Sequence, residues 1–408
     1  MKFLNTALIF FFSLSSTSYS NEIIEATVEH NINWKKIGPT EWDKFQLHMN
    51  KVIQYGSNNK ATASTFGLLP SIIKREGGAL AVNGKLYAAP FNATTILEIN
   101  PEKKTIRNFG NLSKEKFKWE GAVLAFNEKI YSFPYNTNSI LEIDTTNEII
   151  AKYRVQSISQ ILFNILGIPG KSVSSDILGA NREPNIFKKK WVSSVLAPNG
   201  KIYGIPYNSK TVLEFDPVTK KLNTFGNFPG EAKWSCGVLA PNGKIYAIPS
   251  NSSQILEIDP ETSKTRLFGS IKGDLKWAGG VLAPNGKIYG IPSYSNKILE
   301  FNPETKEIVT FGDHPGNSKW LGGALAPTGK IYGIPRDSKS ILEIDPNTQS
   351  TRTFGNFEGD NKWVGGILAP NGKIYGFPFS AKTILEIDPK GNSNFDINVL
   401  LSAYLNNH

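Results

Sequence analysis

Residues 276–312 read KWAGGVLAPNGKIYGIPSYSNKILEFNPETKEIVTFG, and the rest of the chain repeats this pattern. Five tryptophans recur in the same context at intervals of 43 residues: Trp191, Trp234, Trp277, Trp320 and Trp363. Trp119 has matching neighbours in KWEGAVLA, and Arg75 takes the tryptophan position in KREGGALA. A fixed interval of this length indicates structural repeats. The sequence therefore contains seven of them.

Each repeat contains four short apolar segments separated by turn residues. In the quoted repeat they are GGVLA, KIYGIP, KILEF and EIVTFG, with Asn-Gly and Asn-Pro steps between them. None of these segments keeps a helical period over two turns. Four strands repeating every ~40–50 residues predict an all-β fold, a seven-bladed β-propeller of four-stranded antiparallel blades.

The two ends of the repeat region predict how the ring closes. The last repeat ends with a strand at residues 384–388 and has no fourth strand after it. Residues 64–67, STFG, match a fourth strand but precede the first repeat. We expect this N-terminal strand to complete the last blade, because an open array would expose free sheet edges. The propeller is therefore assigned to residues 64–390.

The segments outside the repeats predict the cellular location and two short helices. Residues 1–20 resemble a secretory signal peptide, in which Lys2 precedes an apolar run and small residues stand before a cleavage position near Ser20. We expect a secreted, periplasmic or cell-surface protein with no transmembrane segment. Residues 21–63 are an extension with a short helix, which either packs on the rim or docks a partner. Residues 391–408 are a C-terminal tail or helix.

One irregularity interrupts the repeats. The interval from Asp144 to Trp191 holds 29 more residues than the equivalent interval from Asp345 to Trp363, and the extra residues fall at about 156–184. They include the apolar run ILFNILGI. Long excursions from a compact unit often carry function, but many do not. The insertion is thus either part of a binding site or a neutral addition.

Composition limits the classes of partner. The chain has 45 basic and 35 acidic side chains, a formal net charge of +10, which becomes +9 when Lys2 leaves with the signal peptide. The lysines are dispersed over the repeats and no nucleic-acid recognition motif accompanies them, so specific nucleic-acid binding is not expected. Cys236 is the single cysteine and excludes an internal disulfide. No cofactor and no metal are expected, and the protein is expected to be a monomer.

One face of the predicted propeller carries the candidate ligand-binding residues. The loops between blades and the loops between second and third strands emerge on the same face, which combines aromatic, amide and cationic groups. The candidates are Arg75, Trp119, Trp191, Trp234, Trp277, Trp320, Trp363, Tyr207, Tyr294 and Arg336. The tryptophans have two interpretations: a wedge packed between neighbouring blades, which is favoured because a packing group must recur in every repeat, or a platform for a ligand.

A glutamate recurs in the third strand of every repeat, and a lysine begins the second strand of the same repeat. The glutamates are Glu98, Glu142, Glu214, Glu257, Glu300, Glu343 and Glu386, and the lysines are Lys85, Lys129, Lys201, Lys244, Lys287, Lys330 and Lys373. Seven carboxylates allow a metal ring. Pairing with lysine, an indole N–H or the backbone is favoured, because a carboxylate buried between apolar neighbours needs a partner.

Catalysis needs one unique constellation rather than seven copies, so we searched for residues that break the repeat. Of the four histidines only His314, next to Asp313, lies in a loop of the candidate face. No Ser or Cys nucleophile signature and no metal-ligand spacing accompanies this pair. His314, Asp313 and Arg75 are therefore the candidate catalytic residues if the protein is an enzyme.

The repeat sequence KIYGIPYNSKTVLEFDPVTKKLNTFG resembles the repeats of extracytoplasmic propellers of the NHL, YVTN and streptogramin-lyase-like kinds. The resemblance covers about residues 64–390 and implies the propeller fold. In the lyase members it implies a cluster of histidine, glutamate and magnesium at the central face. This chain has no matching set, which argues against lyase activity. Fold analogy alone does not name an activity.

Three functions remain open from the sequence. The first is a non-catalytic, secreted or envelope-located binding module for a glycan, an anionic polymer or a protein. The second is a lyase- or hydrolase-like enzyme acting at the mouth of the central channel. The third is a structural scaffold whose repeats serve packing alone.

Overall fold

The computed structural model describes residues 60–69, 74–155 and 190–389. These residues form seven four-stranded antiparallel sheets. Blade 1 consists of β2 (Gly78–Leu80), β3 (Leu86–Ala88), β4 (Ile96–Asn100) and β5 (Thr105–Phe109), and blade 2 of β6 (Trp119–Leu124), β7 (Lys129–Pro134), β8 (Ser139–Asp144) and β9 (Ile149–Arg154). Blade 3 consists of β10 (Trp191–Leu196), β11 (Ile202–Pro206), β12 (Val212–Phe215) and β13 (Leu222–Phe225), and blade 4 of β14 (Trp234–Leu239), β15 (Ile245–Pro249), β16 (Ile255–Asp259) and β17 (Lys264–Phe268).

The remaining blades repeat this arrangement. Blade 5 consists of β18 (Trp277–Leu282), β19 (Ile288–Pro292), β20 (Ile298–Phe301) and β21 (Ile308–Phe311), and blade 6 of β22 (Trp320–Leu325), β23 (Ile331–Pro335), β24 (Ile341–Asp345) and β25 (Ser350–Phe354). Blade 7 consists of β26 (Trp363–Leu368), β27 (Ile374–Pro378), β28 (Ile384–Asp388) and β1 (Thr62–Phe66). The all-β, seven-bladed propeller predicted from the repeats is confirmed.

The first strand of each blade lies innermost and contacts the first strands of both neighbouring blades, and β26 of blade 7 lies beside β2 of blade 1. Glycine is required where these strands approach each other. A Cβ placed on Gly279, whose φ is 121°, would lie 2.7 Å from the Cα of Gly322 in the next blade. A Cβ on Gly365 would likewise lie 3.3 Å from the Cα of Gly77. The small residues thus allow seven strands to converge.

Strand β1 pairs antiparallel with β28, with Thr62 opposite Asp388 and Phe66 opposite Ile384. The outermost strand of blade 7 therefore comes from residues that precede blade 1. Beyond β1, Leu69 is buried and its N–H donates to the carbonyl of Lys382 over 2.8 Å. The predicted signal peptide, the insertion at 156–184 and the predicted flanking helices lie outside the described residues. Within those residues, no helix is long and apolar enough to cross a bilayer.

The six repeating tryptophans are wedges between blades. Trp320 of blade 6 packs with Val281, Tyr289 and Ile291 of blade 5, and its Nε1 donates to the carbonyl of Ser340 over 2.7 Å. All six indoles are at most 5% exposed, and each makes the same hydrogen bond to the carbonyl 20 residues later. They present no ring face to solvent. Replacing such a side chain with alanine costs about 3–5 kcal/mol.

Arg75 occupies the wedge position of blade 1. It is 1% exposed, and its Nη2 donates to Asn108 Oδ1 over 2.7 Å. Burial lowers the pKa of this guanidinium to about 10. The buried side chain spans from the start of β2 to the outer strand β5, so Arg75 replaces a packing residue with a polar one.

The third-strand glutamates are buried and paired, as the sequence indicated. Glu257 accepts from Lys244 Nζ over 2.8 Å and from the hydroxyl of Tyr246 over 3.1 Å. Each of the other six glutamates has the equivalent lysine within 3.0 Å. The pairing satisfies the carboxylates inside the blade, so the third-strand positions are structural.

Most of the third-strand glutamates have a third hydrogen-bond partner, which comes from the next blade. Lys306, in the turn between β20 and β21 of blade 5, has φ 64° and donates to Glu257 of blade 4 over 2.7 Å. The equivalent residue of blade 2 is Glu148, which cannot donate, and here Arg107 of β5 bridges Glu98 and Glu148. These contacts join neighbouring blades at the end of the propeller opposite the tryptophans.

Candidate functional site

The start of each inner strand and the end of each second strand lie at the same end of the propeller. In blade 3, for example, Trp191 pairs with Pro206. The residue after this proline therefore stands beside the entrance of the ring. We call these seven positions the mouth residues: Phe91, Tyr135, Tyr207, Ser250, Ser293, Arg336 and Phe379.

Backbone hydrogen bonds connect the mouth residues into a belt. Lys319 N–H donates to the carbonyl of Ser293 over 3.3 Å, and Arg336 N–H donates to that of Lys319 over 3.0 Å. The next link runs from Lys362 N–H to the carbonyl of Arg336 over 2.9 Å. Equivalent links join blades 1 through 7. Blades 7 and 1 are joined by a different bond, from Arg75 N–H to the carbonyl of Pro378 over 3.4 Å.

The lysines that precede the tryptophans do not form a cationic face. Lys319 is 5% exposed, and its Nζ donates to the carbonyls of Ser293, Ser295 and Gly316 over 2.7, 3.0 and 2.6 Å. Lys233 and Lys276 make the same three bonds. Burial lowers the pKa of Lys233 and of Lys319 to about 8. These lysines do not supply the cationic groups expected on this face, because carbonyls of the preceding blade and of the linker before each lysine enclose its ammonium.

The amide side chains beside the mouth are also engaged in the scaffold. Asn208 Oδ1 accepts from the N–H of Ala232, and Asn251 Oδ1 accepts from the N–H of Leu275, each over 2.7 Å. Ala232 and Leu275 have φ near 50°, so these bonds hold the linker in a left-handed turn just before the next lysine. The groups shared by the repeats are therefore occupied within the fold.

Aromatic side chains of four consecutive blades gather on one side of the mouth. Phe91, Tyr135 and Val192 form a buried cluster, and Tyr207 and Phe379 pack against it. The ring centroids of Phe91 and Tyr135 are 5.0 Å apart, and those of Phe91 and Phe379 are 6.0 Å apart. Blades 7, 1, 2 and 3 thus share one aromatic wall.

Two glutamates at the mouth were missed by the sequence analysis. Glu76 and Glu120 follow the wedge residue in blades 1 and 2, where the other blades have Val192, Ser235, Ala278, Leu321 and Val364. The Gly121 N–H donates to the carbonyl of Glu76 over 2.9 Å, so the two positions are adjacent. Both side chains are half-buried. The signal that could have found them is this departure from small or apolar residues at one repeat position.

Burial and the two glutamates raise the pKa of the mouth residues Tyr135 and Tyr207. Burial, and then the negative charges of Glu120 and Glu76, raise the pKa of Tyr135. The same causes raise the pKa of Tyr207 to about 12, against a hydrogen bond from Ser250 that lowers it. Both phenols therefore stay protonated and can donate hydrogen bonds at neutral pH. Carboxylates and hydroxyls of three neighbouring blades meet here.

A polar cluster lies on the other side of the mouth. Arg336 donates from Nε and Nη2 to Asn361 Oδ1 over 3.0 and 2.6 Å, and from Nη1 to the Ser318 hydroxyl over 3.0 Å. The Ser318 hydroxyl donates in turn to the Tyr294 hydroxyl over 3.3 Å. Tyr294 is 39% exposed and Arg336 is half-buried. The structure thus brings together two of the predicted ligand-binding residues, Tyr294 and Arg336.

His314 is placed in the packing between outer strand and wedge. Its ring is 5.5 Å from that of Trp320 at 90°, the position that Phe228 takes against Trp234 and Phe357 takes against Trp363. Its Nε2 is shielded from water and has no hydrogen-bond partner among the described residues. Asp313 is largely exposed and lies 3.6 Å from Lys297 Nζ. The two side chains do not form a pair.

The mouth combines phenols, carboxylates and a guanidinium. Among the residues that the structure describes, no group of three or more His, Cys, Asp and Glu could hold a metal ion. Of the predicted site residues, the six tryptophans and Arg75 are buried between blades, while Tyr207, Tyr294 and Arg336 stand at the mouth. Glu76 and Glu120 join them there.

Comparisons with known proteins identify the fold. No family model and no curated protein matches the sequence. Among solved structures, streptogramin B lyase is similar with a TM-score of 0.64 and 13% identity over 80% of this chain and 97% of that chain. A catalytically inactive virginiamycin B lyase from Staphylococcus aureus with quinupristin gives the same TM-score and identity over 80% and 99%.

A third neighbour comes from a different functional class. The extracellular domain of a one-component system from B. thetaiotaomicron has a TM-score of 0.57 and 10% identity, over 81% of this chain and 43% of that chain. At these identities the similarity shows the shared propeller fold. The resemblance to propeller proteins inferred from the repeats is confirmed at that level.

Proposed function

We propose that this protein is a non-catalytic binding module whose ligand sits at the mouth. The observation that carries this proposal is that the recurring residues and the non-recurring residues of the repeat have different positions and roles. The recurring Trp, Lys, Glu and Asn residues serve packing and hydrogen bonding in every blade, and the side chains that depart from the repeat gather at one entrance. These departures are Glu76, Glu120, Tyr207, Tyr294 and Arg336.

The geometry favours a glycan or a protein segment over an anionic polymer. A polymer of negative charge needs a broad cationic surface, and the lysines expected to supply it are enclosed by carbonyls. Phenols, carboxylates and a guanidinium beside an aromatic wall instead suit a ligand that makes directed hydrogen bonds and stacks on rings.

Substitution at the mouth tests the proposal. Binding to immobilised glycan and peptide arrays should fall at least tenfold in Tyr207→Ala and in Arg336→Ala. The exposed Arg266 of the outer strand β17 provides the control Arg266→Ala. Unchanged binding in both mouth variants would refute this placement of the site.

The alternative is a lyase- or hydrolase-like enzyme acting at the same entrance. Glu76 and Glu120 favour it, because adjacent carboxylates can serve as general acid and base. Incubation with quinupristin, followed by mass spectrometry, tests it directly. A binding module leaves the mass unchanged, whereas an enzyme produces a product that Glu120→Gln abolishes and His314→Ala leaves unaffected.

We also propose that the protein works in the envelope or outside the cell. Support comes from the apolar N-terminal segment and from the extracellular domain among its structural neighbours. N-terminal sequencing of the protein produced by its host should show a start just after Ser20. A protein that retains Met1–Ser20 would contradict this location.

The pairing of β1 with β28 supports a further part of the proposal, that the N-terminal strand closes the ring. Leu69 strengthens it, because its N–H bond to Lys382 matches the bond from Phe228 to Lys210 in blade 3. The segment from 62 to 69 thus reproduces the outer strand and linker of an ordinary blade.

A further inference from the structure

Tyr294 stands at a repeat position that serves the scaffold in other blades. Five blades have an amide or carboxylate side chain there: Asn92, Asn136, Asn208, Asn251 and Asp337. Asp337 Oδ1, for example, accepts from the N–H of Asn361 over 2.6 Å. Tyr294 carries its oxygen at the far end of a ring and bonds instead to the hydroxyl of Ser318, the residue equivalent to Asn361. Blade 5 thus presents a phenol where other blades hold the linker.

Arg336 is a second departure, one blade further on. The other mouth residues are aromatic or serine. Within the described residues, the three hydrogen bonds of Arg336 go to neutral groups, from Nε and Nη2 to Asn361 Oδ1 and from Nη1 to the Ser318 hydroxyl. A guanidinium has five N–H donors, so one donor remains on each terminal nitrogen. Arg336 is half-buried, which leaves part of its side chain open at the mouth.

The two departures are joined by a directed chain of hydrogen bonds. Arg336 Nη1 donates to Ser318 Oγ over 3.0 Å, and the Ser318 hydroxyl donates to the Tyr294 hydroxyl over 3.3 Å. Because the Tyr294 oxygen is the acceptor in this chain, its own proton is available to a further acceptor, and polarisation along the chain strengthens it as a donor. Only one hydroxyl separates the guanidinium from the phenol, so a single ligand group can contact both.

The available groups of this cluster select a monoanion. They are two guanidinium N–H groups and one phenol O–H, all donors, with one positive charge. A carboxylate has two acceptor oxygens and one negative charge, and its hydrogen bonds to guanidinium are among the strong ones. Asp337 is the next residue, and its negative charge disfavours a dianion such as phosphate.

The surroundings of Arg336 favour a sugar over a peptide terminus as the source of the carboxylate. The side chains of Ser318, Asn361 and Asp337 are polar, whereas the terminal side chain of a peptide needs an apolar pocket beside its carboxylate. The Tyr294 ring is 39% exposed and supplies one flat apolar surface next to these polar groups. A pyranose has a matching apolar C–H face and a polar edge from which a carboxylate projects.

From this cluster we propose that the mouth binds an acidic sugar, a pyranose with one carboxylate, whose carboxylate accepts from Arg336 and Tyr294 and whose ring packs against Tyr294. One guanidinium matches one carboxylate, so the ligand is a glycan with an acidic unit and not a densely charged polymer. This inference rests on the proposed function, because it names the ligand of the same entrance.

Equilibrium dialysis of the full chain against acidic disaccharides tests the inference. Each disaccharide of the pool carries one glucuronate, galacturonate or sialate unit, and the matched pool contains their methyl esters, which are neutral and otherwise the same. We expect the acidic pool to be retained at least tenfold more strongly than the ester pool, because the ester lacks the charge that pairs with the guanidinium. A third pool, of tripeptides with a free carboxylate, represents the other source of this group.

Two variants separate the contributions of the two residues. Arg336→Gln removes the charge and should abolish the discrimination between acidic and ester pools. Tyr294→Phe removes the hydroxyl and keeps the ring, so it should weaken retention of the acidic pool severalfold and leave the ester pool unchanged.

Two further variants separate binding from folding. Tyr294→Asn restores the residue that accepts from the linker backbone in other blades, so it should melt at no lower temperature than the wild type while retaining both pools less. Arg266→Gln removes an exposed arginine of the outer strand β17 and should leave every pool unaffected. A Tyr294→Asn protein that melts at a lower temperature would show that Tyr294 itself serves the scaffold and would contradict the proposal.

The possible failures are distinguishable. Equal retention of acidic and ester pools, or retention of the tripeptides alone that Arg336→Gln weakens, would overturn the sugar assignment and leave the entrance as the site. No retention of the acidic pool, or retention that neither Arg336→Gln nor Tyr294→Asn changes, would overturn the inference as a whole. The proposed function is refuted separately, by array binding that Tyr207→Ala and Arg336→Ala both leave unchanged.

Discussion

At the scale of single residues, the position within the repeat decides what a side chain does. His314 illustrates this, because its neighbour Asp313 suggested chemistry whereas its repeat position specifies packing. Phe228 and Phe357 fill the same place against the wedge tryptophan. Aligning the repeats would have predicted the burial of His314. No local feature of the His-Asp dipeptide could.

Replacing His314 with phenylalanine should stabilise the protein, increasingly so at acid pH. Burial, and then the charge of Lys319, lower the pKa of His314 below its ordinary value, and Lys297 also lowers it while Asp313 opposes them. The unfolded chain therefore binds a proton first as pH falls through about 6.5, which costs stability that His314→Phe does not lose. Urea unfolding at pH 7.5 and 5.5 measures the difference. A variant that is less stable at both pH values would contradict the packing role.

Replacing Lys319 with methionine should destabilise the fold by about 1–3 kcal/mol at pH 7, because three buried carbonyls lose their donor. Burial lowers the pKa of Lys319 to about 8, below the unfolded value near 10.5. The unfolded state thus binds more protons between these values, and this lysine makes stability rise with pH from 8 to 10.5. The gap between wild type and Lys319→Met should widen over that range.

The control for this comparison is Lys339→Met, which removes an exposed lysine. It should change the unfolding free energy by less than about 0.5 kcal/mol. A pH profile of Lys319→Met parallel to that of the wild type would show that the ammonium is not titrating inside the fold.

At the scale of elements, each blade contains one buried glutamate that ties its second and third strands together. Tyr246 stands opposite Glu257 on the adjacent strand, and Lys244 and Lys306 complete the group. The sequence predicted the lysine partner from its constant spacing. It could not predict the partner from the next blade, because Lys306 and Glu257 lie 49 residues apart and meet only when two blades pack.

Replacing Glu257 with glutamine should lower stability by about 3 kcal/mol at neutral pH, since two lysines lose their counter-charge. Burial alone would raise the pKa of Glu257, but hydrogen bonds from Lys244, Lys306 and Tyr246 lower it to about 2. This group therefore contributes stability above about pH 4.5 that is lost as pH falls toward 2. Thermal melting from pH 7 to 2 should show a smaller acid loss in Glu257→Gln than in wild type.

Glu358→Gln is the matched control, because the Lys339–Glu358 pair is solvent-exposed and such pairs contribute about 0–1 kcal/mol. If Glu257→Gln and Glu358→Gln lowered the free energy of unfolding equally, the buried Glu257 group would contribute no more stability than a surface ion pair.

At the scale of the whole molecule, the propeller was predictable because seven copies of one pattern support the same strand assignment, which a single copy would leave ambiguous. Constant spacing fixed the number of blades, and the alternation of apolar residues fixed four strands in each. The mouth was less predictable. Its residues come from single departures in several blades, Glu76 and Glu120 among them, and only the closed ring brings these together.

A disulfide across the pairing of β1 with β28 should stabilise the ring if β1 closes it. Thr62 lies opposite Asp388, so the double variant Thr62→Cys/Asp388→Cys, made in a Cys236→Ser background, places two cysteines on neighbouring strands. Long loops closed in this way gain up to about 4–5 kcal/mol in the chain-entropy model. The oxidised double variant should therefore melt at a higher temperature than its reduced form. The single variant Thr62→Cys should show no response to reductant.

The pairing of the first strand with the last has a consequence for biosynthesis. A ribosome delivers β1 before any blade exists and β28 only after nearly all the rest, so for most of translation neither strand can find the other. Each nascent molecule carries an unoccupied edge during that wait, which invites capture by a sister chain or a chaperone. In a chain truncated before residue 384, β1 has no β28 to pair with, and chaperones or proteases can recognise the truncated chain by this exposed strand edge.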